Sequence, residues 1–482
     1  MTEETGKIKV LFATAEAAPF AKVGGLGDVG GALPPSLLQN FSDEIDIRTI
    51  MPFHAVVKSK NPPRKKIGDF SFQANDQQLD CELFISDIDG VPVYLLDNAY
   101  INHDSPVYHG DWQLDGMKYA SFSLALLEAL RYLNWKIDIL HANDWHTALA
   151  VHALATTYKN DPFFSGVKTV LSIHNLPYNG WGSQEAMNRL GFTASQDPDL
   201  PDWAKYTPLP MGIAAALKVM TVSPGYSQEI LTPEYGCGME NYLQKHSDKV
   251  MGILNGIDED RWNPAEDEAI SHHFTVDDLA SRVQNKLDLQ KALGFEVDQN
   301  IPLLTIVTRL SDQKGVPSIF DALPQLLDRS WQFALLGSGS SELEARARTL
   351  AETHPDRIAC FIKYDDVISR VLYASGDIFL MPSLYEPCGL SQMFAMRYGN
   401  LPLATATGGL IDSIRDYSAD PQTATGFLYD EKTTAGLLRS LNLALDVYED
   451  QDAWQLMQKN AMTTDFCWKT SAMKYLDVYK SL

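Results

Sequence analysis

The chain has 482 residues, 45% hydrophobic and 21% charged, with 31 glycines and 25 prolines, which excludes collagen-like, disordered and small disulfide-stapled classes. Its 62 acidic residues against 39 basic ones leave a formal charge of −23. It is therefore a poor general partner for nucleic acid or an anionic membrane, and must hold any anionic ligand with a few locally placed cations and backbone donors. At about 150 residues per domain the length suits two or three domains. The opening Met-Thr-Glu-Glu-Thr-Gly-Lys lacks the basic and apolar regions of a signal peptide. No apolar run approaches the roughly 18 residues of a membrane span. The five scattered cysteines form no Cys-x-x-Cys pair and suggest neither a disulfide frame nor a zinc site. A cytoplasmic enzyme is the expectation.

The first element is an apolar, β-rich run at 7–15, with similar runs at 93–96, 137–140, 169–173 and 219–222. They read as strands buried on both faces, and helical patterns such as 119–132 lie between them. The rhythm restarts with runs at 302–307, 331–336, 358–362, 377–381 and 401–404. Two alternating strand–helix sets predict an α/β chain of two doubly wound domains. The turn-rich stretch 255–263 marks the break between them. Near the end, Trp468, Ala472, Tyr475, Leu476 and Tyr479 fall at helical spacing and need a packing partner.

Gly24-Gly-Leu-Gly-Asp28 is echoed by Gly408-Gly-Leu-Ile-Asp412. Each follows a predicted strand and opens a predicted helix, where glycine lets backbone N–H groups approach an anion. The plainer reading is two ordinary turns. Lys22 lies just before the first pair and suits an anionic ligand or a solvated loop. Arg309 and Lys314 follow the strand at 302–307, where ligands of open sheets bind. They suit a phosphate clamp, the alternative being a surface ion pair of Arg309 with Asp312. Glu386, after the strand at 377–383, suits a sugar hydroxyl or a helix N-terminal acid. Asp144, within His141-Ala-Asn-Asp-Trp-His146, and His174-Asn175 suit recognition of hydroxyls. Their spacing fits no metal motif. The pairs Asp87-x-Asp89 and Asp258-x-Asp260 are common in so acidic a chain and are discounted as metal ligands.

The motif Lys-Val-Gly-Gly-Leu-Gly-Asp-Val at 22–29 resembles that of bacterial glycogen synthases and plant starch synthases. So do His-Ala-Asn-Asp-Trp-His at 141–146, Ile-His-Asn-Leu at 173–176, Thr-Val-Ser-Pro at 221–224, Tyr-Gly-Cys-Gly-Met-Glu at 235–240 and Ile-Leu-Asn-Gly-Ile-Asp at 253–258. Arg-Leu-Ser-Asp-Gln-Lys-Gly at 309–315, Glu-Pro-Cys-Gly-Leu at 386–390 and Thr-Gly-Gly-Leu at 407–410 complete the series, in order along nearly the whole chain.

The resemblance implies a GT-B fold, two Rossmann-like parallel-sheet domains facing across a cleft. They would be 1–258 on the acceptor side and 259–462 on the nucleotide-sugar side, with a C-terminal helix at 463–482 that could cross back to the first. It implies retaining transfer of glucose from ADP-glucose to the non-reducing-end 4-hydroxyl of an α-1,4-glucan, with no metal and no cofactor. By the same resemblance Lys22, Gly24 and Gly25 contact the sugar nucleotide. Asp28, Asp144, Asn175 and Asn255 surround the glucosyl group, and the main chain of His174 supports the cationic sugar. Arg309 and Lys314 clamp the diphosphate, Glu386 lies near the glucose, and Thr407, Gly408 and Gly409 form a phosphate-facing helix start. The chain departs from basic positions common in the family at Pro210, Leu384 and Thr405, which bears on acceptor preference, rate and nucleotide choice. Competing readings are a related transferase using UDP-glucose or making sucrose or trehalose, a phosphorylase with lysine-bound pyridoxal phosphate, and a non-catalytic glucan-binding homologue.

Overall fold

In the computed structural model, which describes residues 6–101 and 105–482, the chain divides into two compact units, Met1–Asn255 with Trp468–Leu482, and Gly256–Cys467. Among the described residues the first unit has nine strands: β1 (Ile8–Ala13), β2 (Ile45–Pro52), β3 (Lys65–Ala74), β4 (Gln77–Ile88), β5 (Val91–Asn98), β6 (Ile139–Asn143), β7 (Lys168–Ile173), β8 (Lys218–Thr221) and β9 (Val250–Gly252). They lie in the order β3-β4-β5-β2-β1-β6-β7-β8-β9. Pairing is parallel from β5 to β9 and antiparallel in β3-β4-β5. Val10, Leu11, Phe12 and Ala13 of β1 are wholly buried, as a strand covered by helices on both faces requires. The strand order reverses at β1. Loops leaving the carboxyl ends of β1 and β6 therefore diverge and leave a crevice, the usual ligand position in open α/β sheets.

The apolar runs mark β1 and β5 to β8, but not β2, β3, β4 or β9. In β4, Leu79, Cys81 and Leu83 are buried while Asp80 and Glu82 are exposed. That alternation belongs to an antiparallel sheet with one wet face. The helical stripe near the chain end also has its partner. The helix Trp468–Ser481 packs Trp468, Ala472, Tyr475, Leu476 and Tyr479 against Val10, Phe12, Leu33 and Ile139 of the first unit.

The second unit has six parallel strands, β10 (Leu303–Val307), β11 (Gln332–Leu336), β12 (Ile358–Phe361), β13 (Ile378–Met381), β14 (Leu401–Thr405) and β15 (Phe427–Tyr429). Their order is β12-β11-β10-β13-β14-β15, with the reversal at β10. At the amino end of this sheet the buried Asp377 carboxylate meets Lys286 Nζ at 2.6 Å and accepts the Leu303 N–H at 2.8 Å. Among the described residues no helix is long and apolar enough to cross a membrane.

Candidate active site

In the first unit, the segment between β1 and the helix Gly25–Phe41 folds around one buried carboxylate. Glu16 accepts hydrogen bonds from the N–H groups of Val23 and Gly24 (3.1 Å for Gly24) and from the Tyr108 hydroxyl. Burial raises its pKa, and these hydrogen bonds oppose the rise. The helix lies so close to this segment that a Cβ on Gly30 would sit 2.2 Å from the Glu16 carbonyl oxygen. Only glycine permits that approach. Gly24 and Gly25, by contrast, have open space where a Cβ would be, so the exposed glycine pair is accessible to a ligand. Lys22 pairs with Asp28 at 2.7 Å, both partly exposed. Neither Glu16 nor Tyr108 was singled out from the sequence. A glutamate in an alanine-rich run just past a buried strand was the available signal.

The loops after β6 and β7 meet at Asp144. This residue begins the helix Asp144–Ala155 with φ +54°, unusual for a residue with a side chain. Its carboxylate accepts the His174 N–H at 2.7 Å and the Asn175 N–H. Burial pushes the carboxyl up to about 7 against these bonds, and Glu16 adds a smaller push. The His174 ring donates from Nε2 to Asn143 Oδ1 at 2.9 Å, while Asn143 Nδ2 donates to the Ala13 carbonyl at 3.0 Å. Desolvation lowers the imidazole to about 3, so the ring is neutral and held through Nε2. Asn175 Oδ1 and Asn255 Oδ1 are buried without a hydrogen-bond partner among the described residues.

His141 and His146 do not join this set. His141 is wholly buried between Tyr479 Oη (2.6 Å) and Ser172 Oγ (2.7 Å), and His146 stacks among Tyr108, Tyr119 and Trp145. Both are structural.

In the second unit, Arg309 and Lys314 lie in the loop after β10 and Glu386 in the loop after β13. Lys314 Nζ meets Glu386 Oε2 at 2.6 Å, and Ser383 Oγ–H donates to the same oxygen at 3.1 Å. Arg309 is exposed and makes no ion pair with Asp312 among the described residues. The surface-pair alternative therefore fails. Glu386 is not a helix N-terminal acid either, because the next helix is Ser391–Arg397. Thr407 is buried and accepts from Lys432 Nζ at 3.3 Å.

The Gly408-Gly409 turn differs from its echo. Gly409 donates its N–H to the Glu386 carbonyl at 3.1 Å, and a Cβ there would fall 2.2 Å from the Cys388 carbonyl oxygen. The following helix has only five residues. This turn braces the Glu386 loop, and the Gly409 N–H is not available to a phosphate.

No group of three or more His, Cys, Asp or Glu placed to hold a metal occurs among the described residues. Asp87 caps the Gly90 N–H at 2.9 Å, and Asp258 caps those of Asp260 and Arg261 at 3.2 and 3.0 Å. The two Asp-x-Asp pairs are turn formers.

Comparison with known proteins adds to this geometry. The family described as "Starch synthase catalytic domain" matches residues 9–245, and "Glycosyl transferases group 1" matches residues 290–461. The chain is 39% identical to a glycogen synthase of Streptococcus mutans, over 98% of this chain and all of that protein. It is 38% identical to a glycogen synthase of Streptococcus pneumoniae with the same coverage. Among solved structures it is similar to the catalytic domain of starch synthase IV from Arabidopsis thaliana bound to ADP and acarbose, at TM-score 0.88 and 32% identity over 99% of both chains. A sucrose-phosphate synthase of Thermosynechococcus elongatus, at TM-score 0.60 and 17% identity over 98% of this chain and 99% of that one, shares the fold.

Proposed function

Since the chain belongs to the glycogen and starch synthase family of GT-B glycosyltransferases, we propose that it moves glucose from ADP-glucose to the 4-hydroxyl at the non-reducing end of an α-1,4-glucan, with retention and without a metal. The observation that carries this reading is the pair of buried, unpartnered carbonyls of Asn175 and Asn255. They lie at the sheet edge that also carries Asp144 and His174. A buried acceptor left open costs about 1–3 kcal/mol, and sugar hydroxyls supply the missing donors.

Breaking the bond from the anomeric carbon to the phosphate oxygen leaves negative charge on ADP and an oxocarbenium-like sugar. Arg309, whose guanidinium makes no ion pair among the described residues, and Lys314 bind the diphosphate and stabilise the charge that develops on it. Preorganised charge of this kind is usually the largest catalytic contribution. They serve where other transferases use a divalent cation. Lys22 and the open Gly24-Gly25 backbone are the first unit's groups suited to an anionic ligand. The His174 main chain, fixed by Asp144, supports the cationic sugar, and Glu386 stands by the glucose. The acceptor 4-hydroxyl attacks the face that ADP leaves, and its proton passes to the departing phosphate oxygen.

The test is ADP release from ADP-glucose with and without a glycogen primer, beside UDP release from UDP-glucose. Primer-dependent ADP release is expected. Preference for UDP-glucose would place the chain with a related transferase, and glycogen binding without nucleotide release would make it a non-catalytic homologue. A glucosyl–enzyme adduct seen by mass spectrometry would replace same-face attack with a two-step route.

A further inference from the structure

Two tryptophans of the first unit stand apart from the rest. The chain has nine, and among the described residues only Trp112 and Trp181 are broadly exposed, at 45% and 58%. They are neighbours, because a Cβ on Gly182 would lie 2.8 Å from Trp112 Cβ. Leu114 (55% exposed) lies on the Trp112 segment and Tyr178 (50%) on the Trp181 loop. Clustered exposed apolar side chains of this size mark binding surfaces rather than chance exposure.

We propose that Trp112, Tyr178 and Trp181 form a platform on which glucose units of the acceptor glucan stack; the proposal rests on the transferase reading above. Its place favours that occupant. Tyr178 and Trp181 belong to the loop that carries His174 and Asn175. The Trp112 ring lies 6.1 Å from the buried Trp145 ring, which follows Asp144 in the chain. The platform is thus continuous with the hydroxyl-binding edge. Its frame is fixed, as the Leu176 N–H donates to Tyr226 Oη at 3.0 Å and the Leu209 N–H to the Asn179 carbonyl at 3.0 Å. Asp111 caps the helix that begins at Trp112, accepting the Gln113 N–H at 2.8 Å. Residues 110–116 and 176–185 carry the exposed acids Asp111 and Glu185 but no lysine or arginine, while Asp115 is buried against His109 Nδ1 at 2.7 Å. A surface of apolar rings with an acidic rim rejects anions and suits a neutral sugar polymer, whose C–H faces pack on aromatic faces.

The test uses the full chain, its W112A/W181A variant and the conservative W112F/W181F variant, with glycogen and maltoheptaose as probes. The alanine variant is expected to raise KM for glycogen about tenfold and to lose retardation in a glycogen-containing native gel. Its KM for ADP-glucose and its melting temperature should stay near those of the parent. The phenylalanine variant should recover most of the glycogen affinity. If the parent transfers glucose and the alanine variant keeps its KM for glycogen, the platform is refuted while the transferase reading stands. If the parent releases no ADP but the alanine variant loses retardation, the platform stands and the catalytic reading falls. A parent that neither transfers nor binds glycogen overturns both. A parent dimer that the alanine variant converts to monomer, with glycogen affinity unchanged, reassigns the surface to a second copy of the chain.

Discussion

Arg309 and Lys314 leave the same strand end but meet different surroundings. Arg309 is exposed and makes no ion pair among the described residues, so Arg309→Ala should leave the melting temperature unchanged and lower turnover by about 10²-fold. Lys314 neutralises the buried Glu386 at 2.6 Å, so its truncation strands a carboxylate. Lys314→Ala should therefore also destabilise the second unit by roughly 2 kcal/mol, less than the 3–5 kcal/mol of fully buried pairs. Adding Glu386→Gln should restore melting but not turnover. Recovery of both would reduce the pair to a structural tie.

Asp144 makes a pH prediction of definite sign. Burial pushes its carboxyl up to about 7 in the folded chain, from an ordinary value of 3.8. Between those values the folded state retains a proton that the unfolded chain releases, so stability falls as pH rises through that window. Asp144→Asn cannot titrate. Its melting temperature should gain on the parent by roughly 3–6 °C from pH 5 to pH 8, and a constant difference would show that Asp144 is ionised throughout.

At the scale of elements, each loop is held by a group remote in sequence, and that limits what the chain reveals by inspection. Period and composition marked the inner parallel strands because they are apolar on both faces. The β3–β4 edge, with one wet face, has no such run. The loop motifs were legible as residues but not as geometry. Arg309 and Asp312 look like a pair on paper, yet Asp312 turns into the short helix Asp312–Lys314. Gly408-Gly409 looks like Gly24-Gly25, yet its Gly409 N–H is spent on the Glu386 carbonyl. Glu16 was missed because its partner Tyr108 lies 92 residues away. Glu16→Ala removes the acceptor shared by all three donors, so the Lys22–Gly25 turn should loosen. KM for ADP-glucose should then rise about tenfold, equivalent to 1.4 kcal/mol, with faster hydrogen exchange at the Val23 and Gly24 amides. Unchanged exchange there would show that the turn holds itself.

At the scale of the whole molecule, the chain leaves its first unit at Asn255 and re-enters it at Trp468. The final helix is thus part of the first unit's core although it is the last segment of the sequence. Ser471 Oγ–H donates to the Leu254 carbonyl at 2.6 Å, and Tyr479 Oη meets His141 Nδ1 at 2.6 Å beneath β1 and β6. Burial drives the His141 imidazole down to about 3, so it stays neutral and needs a neutral partner. Tyr479→Phe removes that partner without changing volume and should cost about 1–3 kcal/mol. A chain ending at Cys467 loses six buried apolar side chains from the cluster around Val10 and Phe12. It should lose the first unit's unfolding transition and primer-dependent turnover, while the contiguous second unit still unfolds cooperatively. Calorimetry of the parent, Tyr479→Phe and the shortened chain should therefore give a graded loss confined to one transition. A shortened chain that melts like the parent would make the helix an appendage and leave His141 without a structural role for its tyrosine.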